Sequence, residues 1–159
     1  MENIQLRRAA CSDLAAVLQL QKHCYRSEAA IYNDDTIPPL TQTLEELYEE
    51  VAQGSVCLVA CQGQTIVGSV RGMIKGITGY INKLIVAPVC QNQGVGKLLM
   101  HEIERELAPV SRYELFTGSR SKKNLALYQK LGYTAFREQP VNDRLTFIFL
   151  QKYLSECLK

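Results

Sequence analysis

Polar and apolar positions alternate from Ile4 to Arg8, the period of a half-buried strand. Apolar residues then recur at helical spacing at Leu14, Val17 and Leu18, with Gln21 in the same stripe and Ser12 or Asp13 available as N-cap. Tyr25 to Leu40 loses that period. Asn33-Asp34-Asp35 and Pro38-Pro39 break any helix there, which predicts a long irregular loop of the kind that shapes binding sites. Thr43-Leu44-Glu45-Glu46 is a capping box, and Leu44, Leu47, Tyr48 and Val51 line one face of the helix it starts, up to Gly54.

From Ser55 the period becomes two. Val56 to Ala60, Ile66 to Ile74 and Tyr80 to Val86 read as three consecutive antiparallel strands, joined by turns around Gln62-Gly63-Gln64 and Gly76 to Gly79. A helix follows from about Gly94 to Leu107, with Val95, Leu98, Leu99, Ile103 and Leu107 on its buried side and Pro109 past its end. Next come a strand from Tyr113 to Thr117 and a short helix over Asn124 to Leu131, capped by Ser121 and stopped at Gly132. Thr134 to Arg137 and Leu145 to Leu150 are the closing strands. The expected class is α/β (α+β), in the order β-α-α-β-β-β-α-β-α-β-β. With no repeat, linker or low-complexity tract, a single domain over residues 1–159 is expected.

Composition narrows the class without changing it. The 47% apolar and 21% charged fractions suit a soluble globular chain, and no apolar run approaches the ~18–20 residues of a membrane span. The N-terminus from Met1 to Arg8 places charges before an amphipathic segment rather than an apolar one, so a cytoplasmic location is expected. The six cysteines form no C-x-x-C pair. The closest two, Cys57 and Cys61, stand about 13 Å apart along one strand, too far for one metal ion or one disulfide. No metal is expected, and most of the cysteines read as small buried hydrophobes.

The net charge of +2 argues against a dedicated nucleic-acid binder, but the charge is unevenly distributed. Residues 27–70 hold 7 acidic and no basic side chains, whereas residues 71–159 hold 14 basic and 7 acidic ones. Two solvated faces explain this. So does a cationic ligand meeting the first segment and an anionic one the second.

The chemistry concentrates in Leu84-Ile85-Val86-Ala87-Pro88-Val89-Cys90-Gln91-Asn92-Gln93-Gly94-Val95-Gly96-Lys97, where a strand turns through Pro and two Gly into an amphipathic helix. Amides of a first helical turn lack internal partners and sit at the positive end of the helix dipole, so this geometry invites a phosphate, with Lys97 adding a nearby charge. A Rossmann fingerprint would need Gly where Leu99 stands; a Walker loop would need Gly at Gln91 and Ser or Thr at Leu98. Both nucleotide motifs fail.

Gln91-Asn92-Gln93-Gly94-Val95-Gly96 instead fits Q/R-x-x-G-x-G/A after a strand ending in V-x-P. Asn124-Leu125-Ala126-Leu127-Tyr128-Gln129-Lys130-Leu131-Gly132-Tyr133 fits N-x-x-L-Y-x-K-x-G-F/Y. With both motifs in order from Ile4 to Leu150, the chain resembles the GCN5-related N-acetyltransferase (GNAT) family. The resemblance implies a mixed, mostly antiparallel sheet of about seven strands that splays between the strands at Tyr80 to Val86 and Tyr113 to Thr117. Acetyl-CoA would bind in that notch.

On the same resemblance, main-chain groups of the Leu84-Ile85-Val86 segment would hold the acetyl carbonyl and pantetheine arm. The amides of Gln91, Asn92, Gln93, Gly94, Val95, Gly96, Lys97 and Leu98 would hold the pyrophosphate. Asn124 would hydrogen-bond the cofactor, Tyr128 would protonate the departing thiolate, and Arg120, Lys122 and Lys123 would meet the 3′-phosphate. A packed helix tyrosine and a polar helix-start residue are the structural alternatives for Tyr128 and Asn124.

The base does not carry over. Many members have Glu two residues before the Leu84 position, where this chain has Asn82. Glu28, Asp34, Asp35 or a water relay remain. The implied activity is direct transfer of an acetyl group to a primary amine of a small molecule or peptide, and the cation-free segment 27–70 suggests a cationic one, such as a polyamine. A CoA-binding sensor of the same fold and a longer acyl donor, governed by the pocket near Phe116 and Tyr80, are the alternatives. Neither nucleic acid nor membrane is expected as a partner. The apolar run Leu145 to Leu150 suits either a homodimer interface or a buried central strand.

Overall fold

A computed structural model describes residues 3–154. The readings at Met1, Glu2 and Cys157 lie outside that range. Seven strands, β1 (Ile4–Arg8), β2 (Val56–Gln62), β3 (Thr65–Lys75), β4 (Thr78–Val86), β5 (Arg112–Gly118), β6 (Thr134–Pro140) and β7 (Thr146–Tyr153), form one sheet in the order β1-β2-β3-β4-β5-β7-β6. All pairs are antiparallel except β4 with β5. The helices are α1 (Leu14–Tyr32), α2 (Pro38–Thr41), α3 (Leu44–Ala52), α4 (Val95–Leu107) and α5 (Lys122–Lys130).

The amphipathic helices cover the two faces as their periods require. On α4, Leu99, Met100, Ile103 and Leu107 are buried against Leu58, Val70 and Ile81 of the sheet. Gly72 permits this close approach, since a Cβ there would stand 2.7 Å from Leu107 Cδ1. On the opposite face Leu14, Val17 and Leu18 of α1 and Leu47 of α3 pack on Cys57, Val59 and Cys61. The capping box forms: the Glu46 amide donates to Thr43 Oγ1 (3.1 Å) and the Thr43 amide to Glu46 Oε1 (2.8 Å).

Several expectations need correction. Residues 25–32 are helical rather than looped, because Ala29 and Tyr32 are buried with Ile37 and Leu145 and the chain leaves α1 only at Asn33, at φ 51°. Tertiary burial there overrides an indistinct period. A short helix, α2, begins at Pro38 within the segment expected to be irregular, proline being favourable at a first helical position. Tyr48 and Leu98 are exposed although their spacing suggested a buried face, Met100 being buried on α4 instead. Asp13 does not cap α1; its carboxylate accepts from the Ala10 amide (2.7 Å) and pairs with Arg7 (2.6 Å). Ser121 stands at the N-cap of α5, but its hydroxyl bonds elsewhere. Of the cysteines, Cys57, Cys61 and Cys90 are buried, Cys24 is half-buried and Cys11 is exposed. The apolar run Leu145 to Leu150 falls largely in β7, an interior strand between β5 and β6 on which Leu150 is buried and Phe147, Ile148 and Phe149 are half-buried.

Two features of β4 prepare a site. It pairs with β5 only through Thr78–Tyr80 against Arg112–Glu114, so beyond Tyr80 the strands part and leave β4 backbone groups without a strand partner on that side. Arg71 faces Asn82 and Ser69 faces Ile85, so β4 carries one extra residue at this point. That bulge places Lys83 at φ 54°, a left-handed conformation unusual for a residue with a side chain.

Candidate active site

The parting of β4 and β5 opens a cleft of about 630 Å³. Leu84, Ile85 and Val86 of β4 form one wall, and Cys24, Tyr25 and Glu28 of α1 face it. The turn into α4 supplies Gln91, Asn92, Gly94, Val95, Gly96 and Lys97, and the start of α5 supplies Asn124 and Leu127. Asn92 and Gly94 have φ of 63° and 84°, so the chain curls tightly ahead of the first turn of α4. Two of the amides expected to be free donors are engaged within the chain. The Gln91 amide donates to the Pro88 carbonyl (3.3 Å), and the Gln93 side chain, which does not line the cleft, donates to the Val89 carbonyl (3.3 Å). The Leu98 amide is bonded to the Gly94 carbonyl (3.0 Å), because α4 has completed its first turn by that residue.

Lys97, Arg120, Lys122 and Lys123 all border the cleft, and none forms an ion pair with another described residue. Cations converge on a helix N-terminus, the electrostatics of an anion site. The Val86 carbonyl accepts from Gln91 Nε2 (3.1 Å) and Cys24 Sγ (3.4 Å). Burial pushes the Cys24 thiol up to about 11.

A second cavity of about 190 Å³ opens between α1, α2, β4 and β5. Ile37, Pro38, Phe116 and Phe147 give it apolar walls; Glu28, Asn82, Lys83 and Tyr128 supply polar groups. Tyr25, Glu28, Leu84 and Asn124 line both cavities. The cleft and the cavity therefore meet at the β4 bulge.

Glu28 is the best-held polar group at this junction. Ser121 Oγ donates to its carboxylate at 2.5 Å, and Asn124 Nδ2 lies 3.4 Å from the other oxygen. Ser121 Oγ is also 2.9 Å from the Tyr32 hydroxyl, whose oxygen accepts from the Arg120 amide (2.9 Å). Because an ionised carboxylate only accepts, the chain runs in one direction: Arg120 N–H to Tyr32, Tyr32 O–H to Ser121, Ser121 O–H to Glu28.

The other acidic groups of residues 27–70 are engaged or remote. Glu50 pairs with Arg71, Glu46 caps α3, and Asp34 accepts from Thr36. Asp35, Glu45 and Glu49 are exposed and line neither cavity. The acidic segment therefore brings one carboxylate, Glu28, to the junction.

Tyr128 is buried, and its hydroxyl makes no hydrogen bond to another described residue. Burial, with Tyr25 and Glu28 adding to it, pushes the phenol above its ordinary range and keeps it protonated. Tyr133, which closes the second motif, fixes this helix end: its amide donates to the Tyr128 carbonyl (3.0 Å) and its hydroxyl to Glu104 (2.7 Å). Asn82 stands on β4 with Oδ1 buried and unpartnered. Desolvation, then the Arg71 charge, holds the Lys83 ammonium below its usual range. Lys83 and Tyr25 carry no signal in a sequence period; only the bulge and the extension of α1 bring them here.

Comparison with known proteins agrees with this architecture. No curated protein sequence matches the chain. A PaiA N-acetyltransferase from Thermoplasma acidophilum, solved with coenzyme A, superposes with a TM-score of 0.82 at 17% identity, covering 96% of this chain and 99% of its own. YncA, a putative acetyltransferase from Salmonella typhimurium solved with acetyl-CoA, gives 0.75 at 21% identity over 96% of this chain and 95% of its own. The ribosomal-protein-S18-alanine N-acetyltransferase from Escherichia coli gives 0.79 at 16% identity over 96% and 95%. These share the fold. The acetyltransferase (GNAT) domain family matches residues 25–154, which take in every cleft-lining residue but Cys24, the turn into α4 and the Asn124–Tyr133 motif, and the chain belongs to that family.

Proposed function

We propose that the protein is an acetyl-CoA-dependent N-acetyltransferase that acts on a primary amine of a small molecule, with Glu28 as the proton acceptor and Tyr128 as the proton donor. The observation that carries this reading is the junction: Tyr25, Glu28, Leu84 and Asn124 belong to both a long cation-rimmed cleft and a smaller cavity. A long anionic donor suits the first and a compact acceptor suits the second. That donors of this kind bind the fold is supported by the PaiA and YncA structures, solved with coenzyme A and acetyl-CoA.

Acetyl-CoA, when bound, supplies the thioester carbonyl. The protein's part is to hold, orient and move protons. Amides at the start of α4 and the side chains of Lys97, Arg120, Lys122 and Lys123 are suited to the phosphates. The unpaired β4 backbone beside Leu84 offers fixed dipoles where charge develops on oxygen.

An ammonium of pKa ~10 is neutral only about one part in a thousand at neutral pH, so the acceptor must lose a proton before it attacks. Glu28, oriented by Ser121 and Asn124, takes that proton. Tyr128, which lines the smaller cavity and is kept protonated by burial, would supply the proton that a departing thiolate needs and regain it from solvent. Asp34 and Asp35 line neither cavity and have no part in this step.

Thiol release from acetyl-CoA with a panel of primary amines tests the reading. Turnover with at least one amine, a loss of about 100-fold or more in Glu28→Gln, and a loss of similar order in Tyr128→Phe are expected, in the range of general acid and base contributions. Tight acetyl-CoA binding without turnover on any amine would leave a CoA-binding module in place of an enzyme.

A further inference from the structure

Two residues of unlike charge line the small cavity without pairing with each other. Glu28 approaches from α1, and Lys83 from the bulge of β4. No described residue forms an ion pair with Lys83. Its charged neighbours are already matched. Arg71 lies 2.9 Å from Glu50 and donates to Gln21 (2.9 Å) and Gln42 (3.0 Å), while Glu50 also accepts from Gln42 (2.6 Å). Lys83 is thus the cation at this cavity without a counterion.

Holding it there is unfavourable twice over. A left-handed conformation is strained for a residue with a Cβ, and partial desolvation of an ammonium without a counterion adds to that. Around it, Ile37, Pro38, Phe116 and Phe147 leave apolar walls. Polar groups left unpaired in an apolar cavity define what a ligand must bring. Here that is an anion for Lys83, an N–H for Glu28, and a short apolar body.

We infer that the acceptor is a compact amino acid, in the sense of a primary amine carrying its own acidic group on a short, largely apolar skeleton, with the acid at Lys83 and the amine at Glu28. The inference rests on the acetyltransferase reading above and narrows its substrate class. At about 190 Å³ the cavity is smaller than the ~300–1,000 Å³ of sites for drug-sized ligands, which favours a single such residue over a folded peptide segment. A polyamine would bring a second cation beside Lys83. Carboxylate and phosphonate share the required chemistry.

The test compares kcat/KM for thiol release with leucine, its decarboxylated counterpart 3-methylbutylamine, the aminophosphonate analogue of leucine, and spermidine. A preference of about tenfold or more for an acid-bearing amine over 3-methylbutylamine is expected, the scale of one charge-assisted hydrogen bond. Which acid is preferred separates the two sources. Lys83→Met should bring that ratio towards one, mainly through KM, and Lys83→Arg should retain most of it. Calorimetric titration with acetyl-CoA checks that each variant keeps its fold. Equal efficiency on leucine and 3-methylbutylamine, a preference for spermidine, or an unchanged ratio in a folded Lys83→Met would overturn the inference and leave the acetyltransferase standing. Acetyl-CoA binding with no turnover on any amine would overturn both.

Discussion

Glu28 and Ser121, 93 residues apart in the chain, are joined by a hydrogen bond of 2.5 Å that ties α1 to the start of α5 across the open end of the sheet. The bond orients one carboxylate at the meeting of the two cavities. Ser121→Ala removes it, leaving Glu28 with only the longer 3.4 Å contact to Asn124. The expected outcome is a fall in kcat of about tenfold, the cost of a misplaced catalytic group, with acetyl-CoA affinity changed less than about twofold. Steady-state kinetics and calorimetry check the two together. An unaltered kcat would mean that Glu28 does not act as the base.

Tyr32 lies directly over Gly118, so closely that a Cβ on that glycine would overlap the tyrosine hydroxyl. Gly118→Ala therefore forces the Tyr32 ring away and breaks its bonds to Ser121 and the Arg120 amide. Overpacking of this kind destabilises by about 1–3 kcal/mol, and the urea midpoint should fall accordingly. Activity should fall at least as far as in Ser121→Ala, because the whole donor chain is disturbed.

Arg71 is fully buried and binds Glu50, Gln21 and Gln42 at once, and Gln21 in turn donates to the Pro39 carbonyl (2.9 Å). The network fastens the α2 segment that walls the small cavity. Arg71→Met strands the buried Gln21 amide oxygen and removes the counterion of Glu50, while Gln42 Oε1 keeps its bond from Gln21 Nε2 (3.0 Å), and a loss of about 2–4 kcal/mol is expected, with Glu50's partial exposure moderating the cost. Arg71→Lys should not restore it, because one ammonium cannot match three separate acceptors in the plane of a guanidinium. Denaturant unfolding measures both.

Cys24 and Cys11 should differ in alkylation. Burial pushes the Cys24 thiol from 9.0 to about 11, so its thiolate fraction below pH 9 is about a hundredfold lower than that of an ordinary cysteine. Since the thiolate is the reactive form, Cys24 labelling should climb tenfold per pH unit up to about 11. Iodoacetamide at pH 8, followed by peptide mass spectrometry, should find exposed Cys11 modified well before Cys24. Faster labelling of Cys24 would contradict the burial argument.

The antiparallel strands were legible because their alternation and their glycine turns are local. Val56, Ile66 and Tyr80 begin runs that β2, β3 and β4 contain. The turn from Val86 through Gly96 was equally legible, since glycine and proline punctuate it. Glu28 was harder to place. It falls where the apolar period fades, so its stretch read as a loop, although the buried contacts of Ala29 and Tyr32 carry α1 past it. Lys83 was not legible at all. A bulge that needs φ 54° is normally announced by Gly or Asn, and a lysine inside an alternating strand announces nothing.

Periodicity and punctuation act between residues a few positions apart, so the chain alone determined the strands, the amphipathic helices, the phosphate-suited turn and, through its two motifs, the family. Which carboxylate meets which amide, which strand lies inside the sheet and which lysine has no counterion depend on contacts between segments dozens of residues apart. Tertiary structure decided those. Glu28 meets Ser121 only because the parted β4 and β5 leave room for α1 to reach the start of α5, and the free energy of that arrangement belongs to the whole packing rather than to any one stretch of sequence.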